Sequence, residues 1–439
     1  MSESALNAMA QQFLDLTLCK TRYDPWDLQW YTESPFWRRT SMKYSREYKI
    51  IPDYEIGEAK HGKAIHDILD EAAHLLEHLA LYKKTAHQGE MQRVDYLIEH
   101  VGNLHFRTRM LMGERCTYDQ MTQALYTLTA PAFDPTHLES IVAELGQALP
   151  GSGTPVQKIR GFRKAVTLPR ECLLEVLTGT TRVFHDITCS RIKVSGNSMP
   201  RVRVRELADE HSVFLSVLFG YDYNHLEYER NFNLLYPWTA ERVVEFIGHE
   251  QEPGHLTYFE KRLQTMIDTC WPEMAIVSQY SSSSAFSEGA ARMVIDLCFD
   301  KSMDKLLDFE REYIFKPAKL DLGLLGLMPL WHAYFEAAGY AQLEVTRKFF
   351  DGVWDESACL KFLDQYGITE ENAQAPTIHR MMGDPGHYVA HDYARDIVRE
   401  YFDHMEPTVD GQWQLYADLC RAHITMGGML DRTVYQIPR

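Results

Sequence analysis

The segment IGHEQEPGH, residues 247–255, sets His249 and Glu250 side by side and places a second histidine, His255, six residues after the first. Histidines that share a metal on one helix are normally four residues apart, where both rings project from the same face. Six apart on an undistorted helix, they diverge. Two residues between them offer a way out. Pro253 has no N–H, and its ring clashes with the carbonyl four residues earlier, that of His249. Gly254 tolerates backbone angles closed to other residues. The segment therefore predicts a helix interrupted or widened at 251–254, a bulge of the kind found at functional sites, with both imidazoles turned to one point.

A hydrolytic zinc centre needs three protein ligands, an open position for water and a nearby base. His249 and His255 supply two nitrogen ligands, and Glu250 is placed to take a proton from water. Thirty-three residues beyond His255 stands Glu288, early in FSEGAARMVIDLCF, which reads as an apolar helix. A glutamate on a second helix is a fitting third ligand. The bare string H-E-x5-H is of a kind that chance supplies near helix ends. The Pro-Gly pair and the Glu288 helix set this instance apart.

Those two pieces carry a resemblance. HEQEPGH resembles the H-E-x-x-P-G-H core of a bacterial family of zinc peptidases, many of them classed as a domain of unknown function and distantly related to helical gluzincin carboxypeptidases. SEGAARMVIDLCF is similar to that family's Glu-Gly helix, with Glu288, Gly289, Ala291, Ile295 and Asp296 on its pattern. LPGSGTPVQKIRGFRKAVTLP, from Leu149, and HYVAHDYARDIVREYF, from His387, resemble two further stretches less specifically. The resemblance spans roughly 110–403 and implies zinc held by His249, His255 and Glu288, with Glu250 as base. Three positions depart from it: Leu256 where the family has another histidine, Ala290 where it has Trp or Thr, and Met293 where it has Tyr. These departures bear on substrate choice and on activity.

The rest of the chain fits a helical body. It has 439 residues, 45% hydrophobic and 24% charged, an ordinary globular balance. Helical periodicity marks 62–84, 90–112, 136–148, 240–270, 286–300 and 388–403. Thr136 and Glu139 suggest a cap for the third of these. LPGSGTP (149–155) and SGNSMP (195–200) read as loops, and the serines at 281–284 as another. Between 185 and 235, RIKVSG and RVRVREL alternate, and two extended runs flank a turn near Tyr221–Asn224. The expected fold is mainly α, a helical zincin-like (gluzincin) metallohydrolase with a small antiparallel β element before the metal-binding helix. One metallohydrolase domain is expected over 1–439, with a helical N-terminal region (1–180) and a metal-binding region (181–439) forming a cleft.

Net charge is −17, from 45 basic and 62 acidic residues, which argues against nucleic acid and anionic membrane as partners. No signal peptide or membrane-spanning run is read, so the cytoplasm is the expected location. The eight cysteines form no C-x-x-C pair and read as thiols in a reducing compartment.

Other candidates compete with the central motif. His74, Glu77 and His78 fit an inverted H-x-x-E-H pattern, but they share the polar side of an amphipathic helix. His379, His387 and His391 cluster with Arg380, Tyr388, Tyr393 and Arg395. Tyr388, His391 and Arg395 are spaced three and four apart, hence on one helical face, and are the candidates for stabilising an oxyanion. Asp296 either orients a ligand histidine or meets solvent. The hairpin at 213–234 offers an edge to an extended substrate backbone. The expected activity is zinc-dependent hydrolysis of peptide bonds in short peptides. A metal-dependent amidohydrolase on another small amide, and an inactive homologue that binds a ligand or partner protein, remain alternatives. Oligomeric state is left open.

Overall fold

The computed structural model describes residues 3–24, 27–31, 62–193, 199–207, 214–219, 227–368 and 384–435. The chain is mainly helical. Its N-terminal elements are α1 (Glu3–Lys20), β1 (Leu28–Tyr31), α2 (Ile65–Lys83), α3 (Met91–Leu111), α4 (Tyr118–Tyr126), α5 (Pro135–Ala148), α6 (Pro155–Ala165) and α7 (Leu173–Arg191). Strands β2 (Arg201–Arg205), β3 (Phe214–Phe219) and β4 (Glu227–Asn233) follow. Then come α8 (Ala240–Glu250), α9 (His255–Thr269), β5 (Ile276–Ser278), α10 (Ser282–Cys298), α11 (Met303–Glu310), α12 (Met328–Phe350) and α13 (Glu356–Asp364). The described chain closes with α14 (Ala394–Met405), α15 (Val409–Leu419) and α16 (Met426–Leu430). Among the described residues, no helix is long and apolar enough to cross a membrane.

Capping chemistry fixes several ends. Thr154 and Gln157 form a reciprocal box at the start of α6. Asp134, rather than Thr136, caps α5: its carboxylate accepts the Thr136 N–H at 2.9 Å, and Pro135 occupies the first turn. The serines at 281–284 are a helix start and not a loop. Ser281 Oγ accepts from Ser284 N at 3.2 Å, and Ser282 to Ser284 form the first turn of α10.

The β element is only partly the expected one. β3 and β4 pair antiparallel, Phe214 opposite Phe232, but β2 joins the other side of β4 in parallel, Val202 opposite Arg230. β4 is therefore central and the sheet mixed. RIKVSG does not begin in a strand, because Arg191 is the last residue of α7. The Tyr221–Asn224 turn and residues 195–198 lie outside the described residues. A second sheet pairs β1 with β5. It is too short to show a pattern in sequence.

Apolar faces gather into three clusters. One joins α1, α2 and α3; a second joins α5 to α8 with α12; the third surrounds α10 and draws on α4, α9, α14 and α15. Every residue from Ser281 to Ala291 is buried, so α10 is the spine of this last cluster. Two close approaches set its neighbours. A Cβ on Gly289 would stand 2.7 Å from the Ala394 carbonyl carbon and 2.8 Å from Arg395 N, so α14 crosses there nearly backbone to backbone. A Cβ on Gly248 would stand 2.7 Å from Ile295 Cγ1, where α8 meets α10.

This packing predicts a contrast between two helical glycines. Gly289→Ala should lose about 1–3 kcal/mol, the usual cost of overpacking, because backbone and not a movable side chain fills the space. Gly102→Ala, at a position in α3 where a Cβ meets nothing within 4 Å, should gain up to about 1 kcal/mol from helix propensity. Urea unfolding of the two variants measures both. Equal effects would contradict a close backbone crossing at Gly289.

Candidate metal centre

The break in the helix is complete. α8 ends at Glu250, Gln251–Gly254 turn, and α9 begins at His255. Gln251 N–H still reaches Ile247 O at 3.1 Å, but Gly254 N–H donates to Gly248 O at 2.9 Å, two residues further back than a helix allows. Gly254 has φ −72° and ψ −124°, outside the α and β regions, and a Cβ there would run into the His249 carbonyl oxygen. The Tyr416 hydroxyl, on α15, donates to Pro253 O at 2.6 Å and lies 3.2 Å from Gly254 O. Glu252 reaches His185 Nδ1 on α7 at 2.5 Å. The loop is thus held from both sides.

Its consequence is convergence. His249 Nε2 lies 2.9 Å, and His255 Nε2 3.1 Å, from the same atom, Glu288 Oε2 on α10. One atom from each of the three residues falls within 4.8 Å of the others, the one such metal-holding group among the described residues. Ligand atoms about 2 Å from a tetrahedral ion lie roughly 3.3 Å apart, so these donors and the two N–O distances suit a divalent ion. Ser287 Oγ sits 3.0 Å from His255 Nδ1, the supporting contact that ligand histidines usually have. His249 Nδ1 is buried without a partner. Glu250 Oε1 is 4.0 Å from His249 Nε2, and its side chain is 18% exposed against 5%, 8% and 6% for the three ligand candidates. Of the four, Glu250 is the one open to an incoming molecule.

A third imidazole joins them. His391 Nε2 lies 2.8 Å from Glu288 Oε2, and His391 Nδ1 donates to the His387 carbonyl at 2.8 Å. A widened turn carries this ring. Val389–Tyr393 is a π-type turn, with Ala394 N–H bonded to Val389 O. The extra residue in this turn spoils the three-four spacing that put Tyr388, His391 and Arg395 on one face. Arg395 points elsewhere: Nε donates to Asp396 at 2.9 Å, with Glu336 at 3.5 Å. Tyr388 is buried in the α10 cluster, edge-on to His387.

Charge is balanced around this centre by residues the motif did not reveal. Glu245, one turn before His249, lies 3.1 Å from Arg292 on α10, and Arg292 also grips Asp392, beside His391. Burial would raise Glu245, but Arg242 and Arg292 hold it at about 2. Burial would likewise raise Glu288, yet His391 and His255 take it well below the usual carboxylate range. Burial and His255 push His249 down, whereas Glu288 outweighs burial and lifts His391. Arg230, on the helix-facing side of β4, donates to the Glu250 carbonyl and places its guanidinium 3.6 Å from Glu250 Oε2. Glu245 and Arg292 stand at helical spacing from His249 and Glu288 and were legible as neighbours; Arg230 and Tyr416 depend on tertiary packing and were not.

The other candidates fall outside the centre. His74, Glu77 and His78 are exposed on α2. Asp296 accepts from Arg399 at 2.9 Å and orients no ligand histidine. His379 and Arg380 lie outside the described residues. Leu256, Ala290 and Met293, the three departures from the resembled pattern, are all buried, the last two in the core around α10.

The chain matches no protein-family profile and no curated protein. Among solved structures it is similar to a putative lipoprotein from Colwellia psychrerythraea, at 12% identity and a TM-score of 0.51, over 84% of this chain and 69% of that one. At that identity the likeness concerns the fold alone.

The loop contacts make a prediction. Tyr416→Phe keeps the ring and removes the donor to two loop carbonyls, so it should lower stability by about 1–1.5 kcal/mol. Denaturant titration gives the value. An unchanged midpoint would mean that the hydroxyl does not hold the loop.

Proposed function

We propose that this chain is a zinc-dependent hydrolase of peptide bonds in short peptides, with a gluzincin-like arrangement and a cytoplasmic place of action. The observation that carries the reading is the convergence of His249 Nε2, His255 Nε2 and Glu288 Oε2 beside the more open Glu250. His249, His255 and Glu288 would hold the ion, which when bound supplies an acidified water and polarises the scissile carbonyl. Everything else is work for side chains. Glu250 takes a proton from water as the water oxygen bonds to the carbonyl carbon. The C–N bond then breaks as Glu250 passes that proton to the leaving nitrogen, giving a carboxylic acid and an amine. The water's second proton, still on the new carboxyl group, then moves to the amine, and the products are a carboxylate and an ammonium group.

His391 takes the donor role in this scheme. Its Nδ1 faces a carbonyl and must carry hydrogen, so Nε2 can face Glu288 favourably only as an N–H or across a cation. As an N–H donor it is placed to stabilise charge developing on the substrate oxygen. Eight free cysteines are consistent with a reducing compartment.

The test separates base from ligand. With a panel of short peptides and zinc-loaded protein, Glu250→Gln should retain metal and lose roughly 10²- to 10⁴-fold in kcat. Glu288→Gln should lose the metal. Turnover that survives in Glu250→Gln, or is insensitive to a chelator, contradicts the proposal.

A further inference from the structure

Asp384 stands seven residues before His391, and the hydrolytic scheme gives it no role. Its Oδ2 accepts from Gln279 Nε2 at 3.1 Å and lies 3.8 Å from His387 Nδ1. Its Oδ1 is enclosed and has no hydrogen-bond partner. Two hydroxyls of α4 share that condition, those of Tyr118 and Tyr126, both fully buried. The Tyr126 hydroxyl lies against Gly386, two residues from Asp384, where a Cβ would run into it. Burial raises both hydroxyls, and the charge of Asp384 raises them further. Three unpartnered polar atoms thus gather at the near end of the segment that brings His391.

A carboxylate in such a place is costly without donors or a cation. Burial lifts the Asp384 carboxyl to about 6, which still leaves it mostly ionised at neutral pH. Arg107, whose charge reaches it, is held by Asp24 at 2.7 and 3.2 Å. Among the described residues, no lysine or arginine pairs with Asp384. Its side chain is 25% exposed, more than that of Glu250 at 18%, so an incoming molecule can meet it. Donor count narrows what that molecule is. A carboxylate only accepts, and a hydroxyl can accept while turning its own hydrogen elsewhere. An ammonium brings three N–H donors and the missing positive charge. A metal ion would need further imidazoles or carboxylates, and the described residues gather such a set only at His249, His255 and Glu288. In a short peptide, the free amino end is such an ammonium at neutral pH.

Distance sets which bond is then presented. The His387 ring lies 3.8 Å from that of His391, whose Nε2 is 2.8 Å from Glu288 Oε2. Two imidazoles in series therefore separate Asp384 from the metal-holding oxygen. Two or three extended residues span such a gap, at about 3.3–3.6 Å each.

We infer that Asp384 holds the free amino end of the peptide substrate, and that the bond cut lies within about three residues of that end. This rests on the hydrolase reading above. The probes are a pentapeptide amide with a free amino end and its N-acetyl form, offered to the zinc-loaded full chain. The wild type should favour the free amine by roughly 10- to 100-fold in kcat/KM, the size of a charge-assisted hydrogen bond. Mass spectrometry should find amino-terminal fragments of about one to three residues. Asp384→Asn should bring the amine-to-acetyl ratio close to one with zinc content unchanged. Asp384→Glu, which keeps the charge but moves it, should fall between. A ratio that persists in Asp384→Asn would mean that another group holds the amine and overturns the inference. So does a wild-type ratio near one, which needs no variant to fold. Calorimetric binding of the same pair separates the two readings. No turnover with tighter, Asp384-dependent binding of the free amine would sink the hydrolase and keep the amine site. No turnover and equal binding would sink both.

Discussion

Three imidazole nitrogens within 3.1 Å of one buried carboxylate oxygen form an arrangement that cannot stand unless a proton or a cation lies between each nitrogen and that oxygen. N–H groups of the rings or a divalent ion can fill that place. Neutral rings turning lone pairs on a carboxylate would repel it. His249 is pushed toward its neutral form by burial, the state in which an imidazole ligates, and His391 is lifted by Glu288, the state in which it donates. His249 and His391 are thus not equivalent.

The rest of the fold serves to deliver that oxygen to that place. Glu288 sits on α10, buried throughout from Ser282 to Ala291 and crossed at Gly289 by the backbone that brings His391. The start of the same helix is anchored by a second polar network. Ser283 Oγ contacts His100 at 2.6 Å and Tyr96 at 3.0 Å, and Tyr96 in turn accepts from Arg262 at 3.1 Å. Nearby, Glu273 is fully buried between Arg93, at 2.5 and 3.0 Å, and His423, at 2.9 Å. Removing one partner from such a buried ion pair typically costs about 3–5 kcal/mol. Arg292 then clasps α10 to α8 through Glu245 and to the π-type turn through Asp392.

Much of this was legible, for reasons that differ by residue. Pro253 and Gly254 announced a break because their restrictions are local and covalent, and the break is there. The Glu288 helix was readable from its apolar period. The π-type turn was not, since Val389–Tyr393 contains no residue that forces a π-type bond. With it went the expectation that Arg395 would share a face with His391. The strand run was visible, but a parallel β2 cannot be told from an antiparallel one by alternation. Arg230 looked like any strand arginine until the register put it over Glu250. The departures at Ala290 and Met293 looked like changes near a substrate and prove to lie in the core, where size and packing decide the residue.

The central claim is that His249, His255 and Glu288 hold a divalent ion. X-ray absorption at the zinc edge, on protein purified without added metal and brought to about one zinc per chain, tests it most directly. The expected result is a shell of nitrogen and oxygen at about 2.0–2.1 Å with imidazole outer scattering from two rings, no sulfur at about 2.3 Å, and loss of that signal in Glu288→Gln. A sulfur-containing shell, or a zinc signal unchanged in Glu288→Gln, would contradict it.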